Sequence, residues 1–178
     1  MSYESNFERA AQVNDLAGNT TNQGWAAADH QLKIIESEFN ELKDGIADRD
    51  LHELRDGIVD VLFTVYGLAH RCGIDADQDF HDMMISQMSK FDDTEEDVHK
   101  SLEMFRDKGV RVCARPGFLG NPRKEYTTYI ATMDQSDDRG RLIPKGKWLK
   151  SHKFQEPVFQ PLPEQTDGMR HLLMEEPT

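Results

Sequence analysis

Apolar residues recur at helical spacing through roughly the first hundred positions and then give way to alternation. Phe7, Ala10, Ala11, Asn14 and Ala17 fall near one face of a first helix over about 4–17, and residues 19–24 form a loop by composition. A second helix over about 25–45 places Leu32, Ile35, Phe39, Leu42 and Ile46 on its buried stripe and ends near Gly45. Asp50 caps a third helix over about 51–72. That helix is nearly all apolar after Asp60, so it is expected to be the central one, with Phe63 and Tyr66 in its core and Gly73 closing it. A fourth helix covers about 76–89, and Asp93-Thr94-Glu95-Glu96 opens a fifth that ends at Lys108-Gly109.

The pattern then changes. Residues 110–114 and 126–132 alternate and carry β-branched or aromatic side chains, which predicts short strands. Residues 143–149 hold Pro-x-Gly turn chemistry between further extended segments. Pro157, Pro161, Pro163 and Pro177 punctuate a tail with no packing pattern. The expected fold is mainly α: a four- to five-helix bundle over 1–109, a small β-hairpin extension over 110–153, and a Pro-containing tail over 154–178.

Charge adds the first chemical signal. Glu38 and Glu41 share a face of the second helix, and Glu53, Asp56 and Asp60 form a column on the third. Like charges stacked this way cost a helix about 0.2–0.5 kcal/mol per pair, so two such columns on neighbouring helices point to a bound cation. Hard oxygen donors suit Mg²⁺ or Mn²⁺. Further along, Arg139, Arg141, Lys145, Lys147, Lys150 and Lys153 occur with no acidic residue among them. An acidic cluster plus a basic stretch fits a polyphosphate carried by divalent metal; a solvated basic hairpin fits the basic stretch equally well.

Composition narrows the class. The 178 residues carry a formal net charge of -12, which argues against nucleic acid or an anionic membrane as partner. No apolar run reaches about 18 residues and no leader pattern opens the chain, so a soluble, cytosolic protein is expected. Cys72 and Cys113 lack CxxC spacing, His52, His70 and His81 lack zinc spacing, and the calcium-loop-like start at Asp75 lacks its glycine and its closing glutamate.

These motifs together carry a family resemblance. The ExxE of Glu38-Phe39-Asn40-Glu41, the acidic helix running into Asp60-Val61-Leu62-Phe63, Gly73-Ile74-Asp75 and Ser86-Gln87-Met88-Ser89-Lys90 occur in the order seen in the all-α nucleoside triphosphate pyrophosphohydrolases. The chain resembles the MazG-like enzymes, related to phosphoribosyl-ATP pyrophosphohydrolase. Pro144-Lys145-Gly146-Lys147-Trp148-Leu149-Lys150 is similar to a Y-P-K-G-K-I-L-K stretch of phage-type members.

The resemblance implies metal-dependent cleavage of a (deoxy)nucleoside triphosphate between its α- and β-phosphates, in nucleotide-pool cleaning or balancing. An alarmone or a phosphoribosyl nucleotide is the alternative substrate, and a non-catalytic helical module the alternative role. It implies Glu38, Glu41, Asp56 and Asp60 as metal ligands, with Glu53 as outer-shell or substitute ligand, and Glu38 or Glu41 as general base. Gln87, Lys90, Lys145, Lys147 and Lys150 would meet phosphate or sugar, and Trp25 would wall the nucleoside slot. A homodimer or homotetramer is expected by the same analogy. Three positions depart from the family pattern: Ser37 replaces one glutamate, Gly57 stands where ExxD has its glutamate, and Gln87 replaces an asparagine.

Overall fold

A computed structural model describes residues 4–120 and 122–159. Five helices come first: α1 (Asn6–Leu16), α2 (Trp25–Asp48), α3 (Leu51–Arg71), α4 (Ala76–Met88) and α5 (Glu95–Asp107). Five strands follow: β1 (Val112–Leu119), β2 (Lys124–Ala131), β3 (Gln135–Ser136), β4 (Leu142–Ile143) and β5 (Trp148–Leu149). The fold is mainly α with a small antiparallel extension, as the hydrophobic pattern predicts. Two compact units share the chain, one ending at Phe80 and one spanning His81–Phe159, so the division falls inside α4. Sequence character alone drew its line at 109. The tail expected over 154–178 carries neither helix nor strand as far as Phe159, and its remainder lies outside the described residues.

In the first unit, α2 and α3 make an antiparallel pair joined by a very short turn. Arg49 adopts a left-handed conformation (φ 55°), and Asp50 then accepts hydrogen bonds from the amides of His52 (2.8 Å) and Glu53 (3.3 Å). This arrangement ends one helix and caps the next within two residues. The second helix runs on to Asp48 rather than stopping at Gly45. Gly45 serves the packing instead: a Cβ there would stand 3.0 Å from the Leu54 amide nitrogen. The first helix docks through Phe7 on Tyr66 (ring centroids 5.9 Å) and through Asp15 on His70 (2.8 Å). Where α1, α2 and α3 meet, Gly67 leaves room for the buried amides of Asn14 and Gln31, and Gln31 donates to the Thr64 carbonyl at 3.0 Å.

Much of the expected apolar stripe is on the surface. Leu32, Phe39 and Ile46 are about half exposed, and so are Val59 and Leu62 on α3. Phe63, expected in the core, is 40% exposed, while Tyr66 is half-buried against Phe7. The physical reason is thickness. Three helices in this unit cover one another along a seam lined by glycine, alanine and buried amides, which leaves the larger apolar side chains on outward faces.

The second unit has its own core of Phe105, Val110, Tyr129, Ala131 and Ile143, which joins α5 to a three-stranded antiparallel sheet of order β1-β2-β5. The short strands β3 and β4 pair with each other. The segments on either side of the Pro144–Gly146 turn therefore bond to different partners, and the basic stretch is not a hairpin closed on itself. A buried polar knot pins this core. The Asp92 carboxylate, fully buried, accepts from the Ser101 hydroxyl (2.5 Å) and the Tyr129 phenol (2.6 Å). Among the described residues no single helix is long and apolar enough to cross a membrane.

Candidate active site

The α2–α3 pair brings four predicted carboxylates together. Glu38 and Glu41 project from α2, Asp56 and Asp60 from α3. The Glu38 carboxyl is held above the usual carboxylate range, first by loss of solvent and then by the negative charges of Glu41, Asp60 and Asp56. Of these charges, Asp60 and Asp56 act on Glu38 from the other helix, which fits columns that face a common space. Glu53 stands in the first turn of α3, exposed, beside the Gly45 contact.

Gly57 sets how near the two helices come. It is buried, and a Cβ built on it would lie 2.9 Å from Leu42 Cα and 3.2 Å from Leu42 N. Those are backbone atoms of α2, immediately next to Glu41. A glutamate at this position, as ExxD would have it, finds no room in this packing. The departure from the family pattern is thus tied to a closer approach of the helices, with Asp56 supplying a carboxylate one residue earlier on an open face.

The donor chemistry suits a hard divalent cation: carboxylates from two helices, with one group whose proton affinity is raised by loss of solvent and then by its neighbours. No three His, Cys, Asp or Glu side chains among the described residues stand close enough to chelate an ion as they are. Mg²⁺ keeps several of its waters, so carboxylates arranged around a space rather than converging on a point still fit it. Glu38, Glu41, Asp56 and Asp60 are the residues that would hold it.

The remaining predicted residues divide. Trp25 opens α2 and is about half exposed; thirteen residues separate it from Glu38, or about 20 Å of helix. It is not brought beside the carboxylates. In the second unit Gln87, Lys90 and Lys150 are gathered. The Lys90 ammonium donates to the Gln87 amide oxygen (2.5 Å), and Lys90 and Lys150 lie over the Phe154 ring at 5.8 and 3.8 Å. Lys150 also meets Glu156 at 2.8 Å.

The serines of the Ser86–Lys90 motif have a structural use. Ser86 donates to the Gln155 carbonyl (2.7 Å), Ser89 accepts from the Gln155 amide (2.9 Å), and Ser151 donates to the Ser89 carbonyl (3.0 Å). The two motifs of the second unit are therefore sewn to one another. Lys153, last of the basic stretch, is committed to Asp93 (2.7 Å) and Asp97 (3.1 Å).

Sequence reasoning named most of the basic residues below but missed Lys108 and the cleft they line. Lys108 joins Lys90, Arg139, Arg141, Lys147 and Lys150 around a cleft of about 470 Å³ in the second unit, which Lys145 does not line. Lys108 entered the sequence reading only as the end of the fifth helix, so nothing in the local pattern tied it to the basic stretch.

Residues 12–86 match a family model described as phosphoribosyl-ATP pyrophosphohydrolase. Neither the curated proteins nor the solved structures yielded a match. The matched segment contains α2 and α3 whole, hence all five predicted metal ligands and Gly57, and stops before Lys90 and the sheet. It supports nucleotide pyrophosphohydrolase activity in general terms. The helical segment 12–86 that builds the carboxylate site thus matches the phosphoribosyl-ATP pyrophosphohydrolase family, which belongs to the all-α, MazG-like nucleoside triphosphate pyrophosphohydrolase superfamily.

Proposed function

We propose that this protein hydrolyses (deoxy)nucleoside triphosphates between the α- and β-phosphates, releasing a monophosphate and pyrophosphate, with Mg²⁺ or Mn²⁺ held by Glu38, Glu41, Asp56 and Asp60. The observation that carries the reading is the mutual approach of those four carboxylates on α2 and α3, felt by Glu38 as a raised proton affinity. The ion, when bound, supplies positive charge against the anionic oxygens of the phosphate under attack. Glu41, or Glu38 with its raised proton affinity, accepts the proton of the attacking water. Gly57 keeps the two acidic faces at working separation. Nucleotide-pool cleaning or balancing is the role this chemistry fits.

A homodimer or homotetramer belongs to the same proposal. Phe39, Ile46, Val59, Leu62 and Phe63 present apolar surface that a second copy of the unit can cover. The description of the matched family favours one further substrate, a phosphoribosyl nucleotide.

The test is pyrophosphate release from ribo- and deoxynucleoside triphosphates and from phosphoribosyl-ATP, with Mg²⁺, Mn²⁺ or chelator. Asp60→Ala and Glu41→Gln serve as controls, with circular dichroism to confirm folding. Metal-dependent release that falls by about 10²–10⁴-fold in Glu41→Gln supports the site and names the substrate. Silence from the folded wild-type chain across the panel would refute catalysis on these substrates.

A further inference from the structure

The cleft in the second unit stands apart in character from the rest of an acidic chain. Its rim is built from the residues just after α4, the C-terminal end of α5, the β3–β4 turn and the residues around β5, and it carries six cationic side chains against two carboxylates, Asp137 and Asp138. Asp137 is already spent. It accepts from the Arg139 amide (3.0 Å), the Arg141 amide (2.8 Å) and the Arg141 guanidinium (2.7 Å), and these contacts hold its carboxyl below the usual range. Gly140, at φ 76°, lets the turn close around that carboxylate.

The cations sort in the same way. Lys90 and Lys150 are engaged with Gln87, Glu156 and Phe154, and Arg141 with Asp137. Among the described residues Lys108, Arg139 and Lys147 make no ion pair. Three unpaired cations against one unpaired carboxylate, Asp138, still leave a surplus of positive charge around a concavity in a protein whose net charge is -12.

The interior wall is different again. It is formed by the outer edge of the apolar core, Phe105, Val110, Ile143 and Leu149, with the indole of Trp148, 63% exposed, at the side. A volume of about 470 Å³ falls within the range of about 300–1,000 Å³ typical of small-molecule sites. Cations on a rim suit phosphate oxygens, and a flat indole beside an apolar wall suits a ring.

We propose that this cleft binds an oligophosphate, in the form of a nucleoside polyphosphate or an inorganic chain, through Lys108, Arg139 and Lys147, and does so without a divalent metal. The site lies wholly within His81–Phe159 and outside the segment that matches the pyrophosphohydrolase family. It does not depend on the carboxylates of α2 and α3. A nucleoside triphosphate gains the Trp148 indole in addition to the rim, whereas tripolyphosphate or pyrophosphate uses the rim alone.

The experiment uses the full chain with Trp25→Phe, which leaves Trp148 as the sole tryptophan. Its fluorescence is titrated in excess chelator with a nucleoside triphosphate, inorganic tripolyphosphate and pyrophosphate, and calorimetry repeats each titration. The expected result is saturable binding that Asp60→Ala leaves within about twofold. Lys147→Glu and Arg139→Glu, both on exposed positions, weaken it at least about tenfold each. Tighter binding of the nucleotide than of tripolyphosphate assigns the site to nucleotides, and equal binding assigns it to the phosphate chain.

Loss of binding in Asp60→Ala with no effect of the cleft variants would overturn the proposal and leave the hydrolase reading standing. So would a single-stranded oligonucleotide that binds where tripolyphosphate does not. Binding that survives in a protein releasing no pyrophosphate refutes the hydrolase reading and upholds the cleft.

Discussion

Gly57→Ala is the sharpest probe of how the acidic faces are held. Alanine in place of glycine inside a free helix is stabilising by about 0.5–1 kcal/mol, because glycine loses more backbone freedom on folding. Here the added methyl group would sit 2.9 Å from Leu42 Cα and 3.1 Å from Leu42 Cβ. Carbon atoms rest at about 3.5–4.0 Å, so α2 and α3 must part locally by roughly 0.6–1 Å. Neither helix can yield by rotating a side chain, since the obstruction is main chain. Overpacking of this kind costs about 1–3 kcal/mol. Set against the propensity gain, the net loss is about 1 kcal/mol, opposite in sign to the free-helix expectation.

The measurement is urea unfolding in a Trp148→Phe background, so that Trp25 at the start of α2 reports on the first unit alone. With a slope of about 1–3 kcal/mol per molar, the midpoint should fall by roughly 0.3–1 M. Gly67→Ala is the comparison. The atoms its methyl group would meet first are the side-chain amides of Asn14 and Gln31, at 3.2–3.3 Å, and these can shift. Its loss should be the smaller of the two. A Gly57→Ala protein that is more stable than wild type would refute the close approach, and with it the account of why the family glutamate is absent at this position.

Other consequences concern the second unit and the open faces. Hydrogen bonds from Lys124 and then Lys153 hold Asp93 down at about 2, and those from Thr94, Lys153 and His152 hold Asp97 at about 2. Carboxyls depressed in the folded state stabilise it fully above their unfolded value of about 3.9, and that stability drains away as pH falls toward 2. Lys153→Met should therefore lower stability at neutral pH and flatten its fall between about pH 4 and 2, as read by Trp148 fluorescence. An unchanged curve would refute the pairing. Tyr129→Phe removes a donor to the buried Asp92 and should cost the second unit about 1.5–3 kcal/mol, measured by the same probe in denaturant. Leu62→Lys places a charge on the exposed apolar face of α3; if the proposed homo-oligomer forms through that face, light scattering should show a lower mass than wild type while helicity is kept, and an unaltered mass would refute its use as an interface.

How much the sequence determined follows from the range of the forces involved. Helix extents depend on local periodicity and capping, so Asp50 and Thr94 marked starts that the fold uses. The carboxylate columns were legible for the same reason: residues three and four apart share a face whatever surrounds them. Which faces end up covered is a property of neighbours distant in the chain, and there the pattern misled. Leu32, Phe39 and Ile46 repeat as core residues do, yet small residues at Gly45, Gly57 and Gly67 bring the helix axes so close that the seam closes without them.

Tertiary structure alone decided the fates of the lysines. Lys153 and Lys147 read alike in sequence, but one is neutralised by Asp93 and Asp97, some sixty residues away, while the other stays unpaired on the rim of a cleft. Charge type is written locally; charge compensation is a matter of which strands and helices meet, and only packing fixes that.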